Sequence, residues 1–141
     1  MTYSQTSGGV IIYRNTSDGK SYLLLQYIQG HWNFVKGKVE DGETAHEAAI
    51  RETKEETGIT DLHFIDGFSR HVEYDFTYNG QLIHKTVIYY LAESKTVDII
   101  LSDEHQSSAW LSIDDAIKRT THKNSKNILI LASEYLSSLD K

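Results

Sequence analysis

Short apolar stretches separated by polar turns dominate the sequence, and this pattern predicts β-strands. The predicted strands lie at residues 7–14, 21–28, 32–35, 64–78, 81–92, 97–101 and 109–111. Residues 15–20 form the predicted turn between the first two strands. Asn79-Gly80 predicts a two-residue hairpin turn, because both positions tolerate positive φ.

Apolar residues at helical spacing predict helices in the middle and at the end of the chain. The first predicted helix begins at Thr44, whose segment has the form of a capping box, and ends at Gly58. The last helix is predicted over residues 125–139, and a shorter one begins after Ser112 with two aspartates in its first turn. Together these elements predict an α+β fold, in which a mixed sheet packs between helices.

Composition is that of an ordinary globular protein, with 141 residues, a formal net charge of −6 and no cysteine. The length predicts a single domain over 1–141. The absence of cysteine excludes a thiolate nucleophile and a Cys-ligated zinc site. We find no long apolar stretch or leader-like segment, and predict a cytoplasmic protein without a membrane anchor. The acidic charge makes stable nucleic-acid binding a poor expectation, because that function favours clustered lysine and arginine.

The helix before Gly58 has an unusual concentration of negative charge. Glu52, Glu55 and Glu56 lie within one turn, so they repel one another. They also lie near the helix C-terminus, where the helix dipole disfavours anions. From these residues alone, two interpretations are open: a solvated acidic face, or a site for a divalent cation such as Mg²⁺ or Mn²⁺.

The residues around this helix resemble the Nudix box. That motif has glycine, five residues, glutamate, seven residues, Arg-Glu, an apolar residue, any residue, Glu-Glu, any residue, glycine and an apolar residue. Each fixed position matches over 23 residues, and the matching residues are Gly37, Glu43, Arg51, Glu52, Glu55, Glu56 and Gly58. Thr53 stands where an aliphatic residue is more common. The resemblance implies the Nudix α/β/α sandwich and hydrolysis of a phosphoanhydride bond in a nucleotide-like substrate.

The resemblance also implies roles for the box residues. Glu52, Glu55 and Glu56 are the implied catalytic ligands of Mg²⁺, with Mn²⁺ as a possible substitute. Arg51 is expected to pair with a carboxylate, Glu43, and to hold these ligands in place. Outside the box, Lys36 occupies a position where family members often have lysine, and a phosphate contact is implied there.

Segments outside the box resemble the asymmetrical diadenosine tetraphosphate hydrolases, a Nudix subfamily. The similar segments are residues 30–37 (GHWNFVKG), 85–93 (KTVIYYLAE) and 101–106 (LSDEHQ), with Trp110-Leu111. Val35 departs from the subfamily, which usually has proline before Lys-Gly. The resemblance implies cleavage of diadenosine tetraphosphate into ATP and AMP.

This subfamily resemblance implies two further charged residues of the site. Glu104 is the implied extra carboxylate, acting as a metal ligand or as the general base; the alternative is an ordinary loop glutamate. Lys85 is implied to reach the phosphate chain; the alternative is an exposed residue at a sheet edge.

Aromatic residues are implied to bind the nucleoside. Tyr74 and Tyr135 stand where the subfamily places rings that stack on adenine, although core packing is an alternative for Tyr135. His31 and His105 are candidates to bind phosphate or a water molecule, or else are structural histidines.

Three other functions remain open at the level of sequence. Two are different Nudix activities: removal of pyrophosphate from RNA 5′ ends, and hydrolysis of oxidised nucleotides such as 8-oxo-dGTP. The third is a non-catalytic module that senses a nucleotide. The retained box carboxylates disfavour the third, because a binding module has no need of them. The oligomeric state and the number of metal ions are not specified by the sequence.

Overall fold

The computed structural model describes residues 2–140, and within this range it contains seven strands and three helices. The strands are β1 (Thr2–Thr16), β2 (Gly19–Tyr27), β3 (Trp32–Asn33), β4 (Val35–Lys38), β5 (His63–Tyr78), β6 (Gln81–Glu93) and β7 (His105–Leu111). The helices are α1 (Ala45–Thr57), α2 (Ile113–Arg119) and α3 (Lys123–Leu139). No helix within the described residues is both long and apolar enough to cross a membrane.

All seven strands belong to one mixed sheet in which β1 is the central element. The main path is β3-β2-β1-β6-β5, with β4 paired to β1 and β7 paired to β2. The β1–β6 pair is parallel and the other pairs are antiparallel. Because β1 is long, residues 13–16 pair with β2 while residues 7–10 pair with β4 on the same side. This arrangement makes β4 a short strand at an edge of the sheet.

Alternate residues of β1 face two different cores, as expected for a strand buried on both sides. Ile11 and Tyr13 belong to a core that also includes residues of α2 and α3. Val10 and Ile12 belong to a second core on the opposite face. Gly8 shares the face of Val10 and Ile12 and lies directly beneath α1. The sheet therefore packs between α1 on one side and α2 and α3 on the other, which confirms the predicted α+β sandwich.

Helix α1 begins and ends as predicted. Thr44 caps it by accepting a hydrogen bond from the Glu47 backbone N–H at 3.1 Å, and Glu47 accepts one from the Thr44 N–H at 2.9 Å. Gly58 ends the helix with φ of 78°, a left-handed conformation that favours glycine.

The main strand predictions hold, but two details were wrong. The predicted third strand is interrupted at Phe34, whose backbone N–H donates to the Asn33 side chain at 2.9 Å. The predicted strand at 97–101 is absent, because this segment crosses the end of α1 instead of pairing with a neighbouring strand. There Ile100 N–H donates to the Thr57 carbonyl at 3.0 Å, and this bond supplies one of the helix-end carbonyls with a partner.

Candidate active site

Strand β4 separates two groups of charged side chains. Gly37 pairs with Gly8 and therefore faces α1, whereas Lys36 pairs with Gly9 and faces the α3 side. A Cβ atom on Gly37 would overlap the carboxyl carbon of Glu52. Glycine is required at this position because the Glu52 carboxyl fills the space of a side chain.

Arg51 organises the carboxylates that precede and follow it. Its Nε donates to Glu43 Oε2 at 2.7 Å and its Nη2 donates to Glu43 Oε1 at 3.1 Å, which forms the predicted bidentate pair. Its Nη1 donates to Glu52 at 2.8 Å and to Glu55 at 3.2 Å. The Arg51 guanidinium lowers the pKa of Glu43, so this carboxylate stays ionised beside it. The Arg51 guanidinium thus fixes the Glu43 loop and the carboxylates of Glu52 and Glu55 together.

The three box glutamates differ greatly in exposure. Glu55 is exposed, the Glu52 side chain is 15% exposed, and the Glu56 side chain is only 3% exposed. The buried position next to them belongs to Thr53, whose hydroxyl donates to the Ala49 carbonyl at 2.7 Å. The unusual box residue is therefore accommodated within the helix through its own hydrogen bond.

Glu56 is a buried carboxyl group without enough partners. Within residues 2–140 its Oε2 has no hydrogen-bond partner. Burial raises its pKa to about 9, and the neighbouring carboxylates of Glu52 and Glu104 contribute further. Burial also raises the pKa of Glu52, although Arg51 opposes this change. Such a cluster is costly unless a cation neutralises it.

These carboxylates fit a divalent cation that has few protein ligands. Within the described part of the chain, no three acidic or histidine side chains converge into a ready-made metal cage. Mg²⁺ suits such an open site, because it keeps several waters and is commonly held by one or two carboxylates plus substrate phosphates. Together Glu52, Glu55, Glu56 and Glu104 form what we call the carboxylate ledge.

Glu104 reaches the ledge from the turn before β7. The Ile28 N–H donates to the Glu104 carbonyl at 3.1 Å, and the Ser102 N–H donates to the Glu56 carbonyl at 3.3 Å. These bonds join the turn to the end of β2 and to the last turn of α1. The Glu104 side chain is exposed, so it is accessible to water.

On the other face of β4 a cavity of about 380 Å³ opens beside α3. Lys36 and Tyr74 line it, with the Lys36 Nζ 5.9 Å from the centre of the Tyr74 ring. Lys85 pairs with Tyr74 across β5 and β6, and its side chain lies on the same face. Burial lowers the pKa of Lys85 to about 8, and repulsion from Lys36 and Lys38 contributes. Lys85 lies beside Tyr74 but not in the lining of the cavity, and we call Lys36, Tyr74 and Lys85 together the lysine pocket.

Comparison with known proteins identifies the family to which this arrangement belongs. The family model for the NUDIX domain matches residues 5–131, which is most of the chain. The chain belongs to the Nudix family. Its resemblance to this family is thereby confirmed.

Two relatives that act on dinucleoside polyphosphates resemble the chain over nearly its full length, and a third relative resembles a shorter part. The mouse bis(5′-nucleosyl)-tetraphosphatase [asymmetrical] is 40% identical, and the match covers 92% of this chain and 94% of the mouse protein. A solved Caenorhabditis elegans Ap4A hydrolase binary complex has a TM-score of 0.85 at 34% identity, covering 95% of this chain and 98% of that one. An RNA pyrophosphohydrolase of Helicobacter pylori is 29% identical over 65% of each chain.

In this Nudix fold His31 lies at the rim of the cavity. It stacks on Tyr27 with ring centroids 4.6 Å apart and lies 5.4 Å from the ring of His122. Burial lowers the pKa of His31, and the neighbouring His122 and Lys36 add to this effect. A neutral imidazole at this rim suits hydrogen bonding to a ligand.

Tyr135 is not brought into the site. Its hydroxyl donates to the Asp66 carbonyl at 2.7 Å, and its ring lies 5.8 Å from that of Phe68. The predicted substrate contact at Tyr135 is therefore corrected to the core-packing alternative, because its apolar position on α3 places it against the irregular part of β5.

Several lining residues of the cavity escaped the sequence analysis. They are Asn33, Val72, Val87, Tyr89, His122, Asn124 and Ser125. The alternation of β6 gives a signal for Val87 and Tyr89, because both share the face of Lys85. No comparable signal identifies His122 and Asn124, since they reach the cavity only through the docking of α3.

Proposed function

We propose that the chain is a divalent-metal-dependent pyrophosphohydrolase that cleaves diadenosine tetraphosphate asymmetrically, giving ATP and AMP. The observation that carries this proposal is the buried Glu56 carboxyl with an unpartnered oxygen, next to Glu52 and Glu104. Mg²⁺ is the cation we propose, with Mn²⁺ as a substitute, because the ledge offers only carboxylate oxygens. The mouse and C. elegans relatives support the choice of substrate.

The carboxylate ledge supplies the cation site in this proposal. Glu52, Glu55 and Glu56 act as catalytic ligands, and Arg51 is the positioning residue that holds the first two. A divalent cation bound there would neutralise phosphate charge and make a water molecule more acidic. Glu56 would hold the cation as a carboxylate, because a metal ligand has to be ionised.

Glu104 is the carboxylate best placed to take a proton from the attacking water. It is exposed and lies beside the buried Glu56, so water and substrate phosphates both reach it. A new bond forms between the water oxygen and a phosphorus atom, while the phosphoanhydride bond to the leaving nucleotide breaks. The water proton passes to Glu104, or to Glu52, which is the alternative base.

The lysine pocket binds the rest of the substrate. Lys36 and Lys85 contact the polyphosphate chain, and Tyr74 stacks on one adenine. His31 lies at the rim, where it donates to or accepts from a phosphate or a bound water. A substrate that crosses the edge of the sheet at β4 would therefore meet the cation on one side and the pocket on the other.

A second Nudix activity, removal of pyrophosphate from RNA 5′ ends, has weaker support among the relatives. The H. pylori RNA pyrophosphohydrolase matches a smaller share of the chain at lower identity. An RNA substrate also favours a basic approach surface, whereas this chain has 20 acidic and 14 basic residues. We therefore place diadenosine tetraphosphate first and propose a cytoplasmic location, where this substrate would be met.

Product analysis tests the proposal. The purified protein is incubated with Mg²⁺ and, in separate reactions, with diadenosine tetraphosphate, 8-oxo-dGTP and triphosphorylated RNA, and the products are separated by chromatography. We expect equal amounts of ATP and AMP from the dinucleotide and little turnover of the other two. ADP as the sole dinucleotide product would contradict an asymmetrical cut. Turnover of RNA or 8-oxo-dGTP without turnover of diadenosine tetraphosphate would show that the proposed substrate is wrong.

A further inference from the structure

His105 is a buried histidine whose ring lies next to the Glu56 carboxyl of the carboxylate ledge. Its side chain is 0% exposed, and its ring packs edge-on against Tyr27 with centroids 4.5 Å apart. A phosphate in solution has no direct access to such a ring. The sequence-based alternative of a direct phosphate contact is therefore inconsistent with the position of His105.

The two ring nitrogens of His105 have different surroundings. Nδ1 lies 3.3 Å from the Ser102 hydroxyl oxygen. Nε2 has no hydrogen-bond partner within residues 2–140, and it lies 3.9 Å from Oε1 of Glu56. A buried ring nitrogen without a partner is uncommon, because an unmade hydrogen bond in the interior is costly.

The Glu56 carboxyl likewise has an oxygen that lacks a hydrogen-bond partner within the described residues. Its Oε1 faces His105, and its Oε2 is the buried oxygen without a partner. A carboxylate that binds a cation through one oxygen is commonly held through the other by a neighbouring hydrogen-bonding group. Resting on the proposed function, we infer that His105 is a positioning residue that holds the Glu56 carboxylate in the orientation required by the cation.

The backbone around His105 strengthens this inference. The His105 N–H donates to the Ser102 carbonyl at 3.2 Å, and this closes the turn that carries Glu104. The Gln106 side-chain amide donates to the carbonyls of Tyr27 at 3.2 Å and Ile28 at 2.9 Å. A single turn, fixed to β2 at one end, therefore supplies Glu104 directly and orients Glu56 through His105. The spacing of these two carboxylates is set by this turn.

Two substitutions distinguish the two nitrogens. His105→Gln keeps an amide N–H near the position of Nε2, whereas His105→Asn keeps one near Nδ1. The cation affinity of each variant is measured by calorimetric titration with Mn²⁺ alone, and thermal unfolding without metal is measured alongside. His84→Asn is the control, because it removes an exposed imidazole that binds Asp75 outside the site.

We expect His105→Asn to weaken Mn²⁺ binding by roughly 10- to 100-fold and His105→Gln to stay within about threefold of wild type, because only the second retains the group that faces Glu56. The Mn²⁺ affinity of the control, His84→Asn, should equal that of wild type. Equal Mn²⁺ affinity in wild type and His105→Asn would overturn the inference, as would equal losses in the Asn and Gln variants. If the wild-type protein itself takes up no Mn²⁺, the proposed function fails first.

A third variant covers the case in which the His105→Asn protein unfolds below the assay temperature. Ser102→Ala leaves the ring in place but removes the partner of Nδ1, together with a long 3.4 Å bond from the Glu104 N–H, so the hydroxyl no longer fixes the orientation of the imidazole. Weaker Mn²⁺ binding with an unchanged unfolding temperature supports the positioning role. Unchanged Mn²⁺ binding in Ser102→Ala contradicts it.

Discussion

The two faces of β4 carry opposite charges, and they are constructed differently. The carboxylate ledge depends on one helix and one turn: Glu52, Glu55 and Glu56 lie within one turn of α1, and Glu104 joins them from the turn before β7. The lysine pocket combines β4, β5 and β6, so its members lie far apart in sequence and meet through strand register. Gly37 separates the two, because its missing side chain leaves room for Glu52. In the proposed function, bond cleavage takes place on the face of the carboxylate ledge and substrate recognition on the face of the lysine pocket.

The largest effect should come from neutralising the ledge. Glu56→Gln keeps the shape of the side chain but removes the charge that binds the cation, and we expect kcat to fall about 10³-fold. Glu134→Gln, which changes an exposed glutamate of α3, is the matched control. Steady-state kinetics with diadenosine tetraphosphate measures both. Turnover near the wild-type level in Glu56→Gln would remove Glu56 from the ligand set.

A change in the lysine pocket should instead affect substrate binding. Lys85→Met removes a buried charge that we propose contacts the phosphate chain, and we expect KM to rise about 10- to 100-fold with a smaller change in kcat. The unfolding temperature should not fall, because a buried cation without a carboxylate partner is replaced by an apolar chain. A loss confined to kcat would place Lys85 on the cleavage side of β4.

Removing the aromatic ring of the lysine pocket should raise KM somewhat less. Tyr74→Ala removes the stacking ring, and we expect KM for the dinucleotide to rise about tenfold. Tyr74→Phe keeps the ring and should behave like wild type. If both variants lose affinity equally, the hydroxyl rather than the ring would be the contact.

The smallest effect concerns stability without metal. Between the ordinary glutamate pKa of 4.5 and the raised pKa of about 9, folded Glu56 binds a proton that the unfolded chain has released. The unfolding temperature of the metal-free protein should therefore fall as pH rises from 5 to about 7, where Lys85, with a pKa of about 8, is still mostly protonated. Glu56→Gln should flatten this slope. An equally steep slope in the variant would mean that other groups cause it.

Sequence alone predicted the pairing of Arg51 with Glu43, because its geometry follows from helical spacing and a short loop. Glu43 and Arg51 are eight residues apart, and a capped helix brings them together. The same reasoning could not place Tyr135, since an aromatic residue at a helical apolar position fits a core as well as a pocket. Whether it faces Phe68 or the substrate depends on how α3 docks against β5.

Segments that supply hydrogen-bond partners to a neighbouring element were also not predicted from the sequence. Residues 97–101 have the composition of a strand, yet they follow the end of α1, where Thr57 offers a carbonyl to Ile100. The unpartnered atoms of Glu56 and His105 have no counterpart in any sequence pattern. These atoms come together only because the turn before β7 packs beside the last turn of α1, and no local sequence pattern encodes that packing.

The most direct test of the central claim is a calorimetric titration of the protein with Mg²⁺, with and without a non-hydrolysable dinucleotide analogue. We predict saturable uptake that is tighter with the analogue, because phosphate oxygens complete the coordination shell. Uptake should be lost in Glu56→Gln and retained in Glu134→Gln. Equal uptake by wild type and Glu56→Gln, or none by wild type, would contradict the claim that the carboxylate ledge holds the catalytic cation.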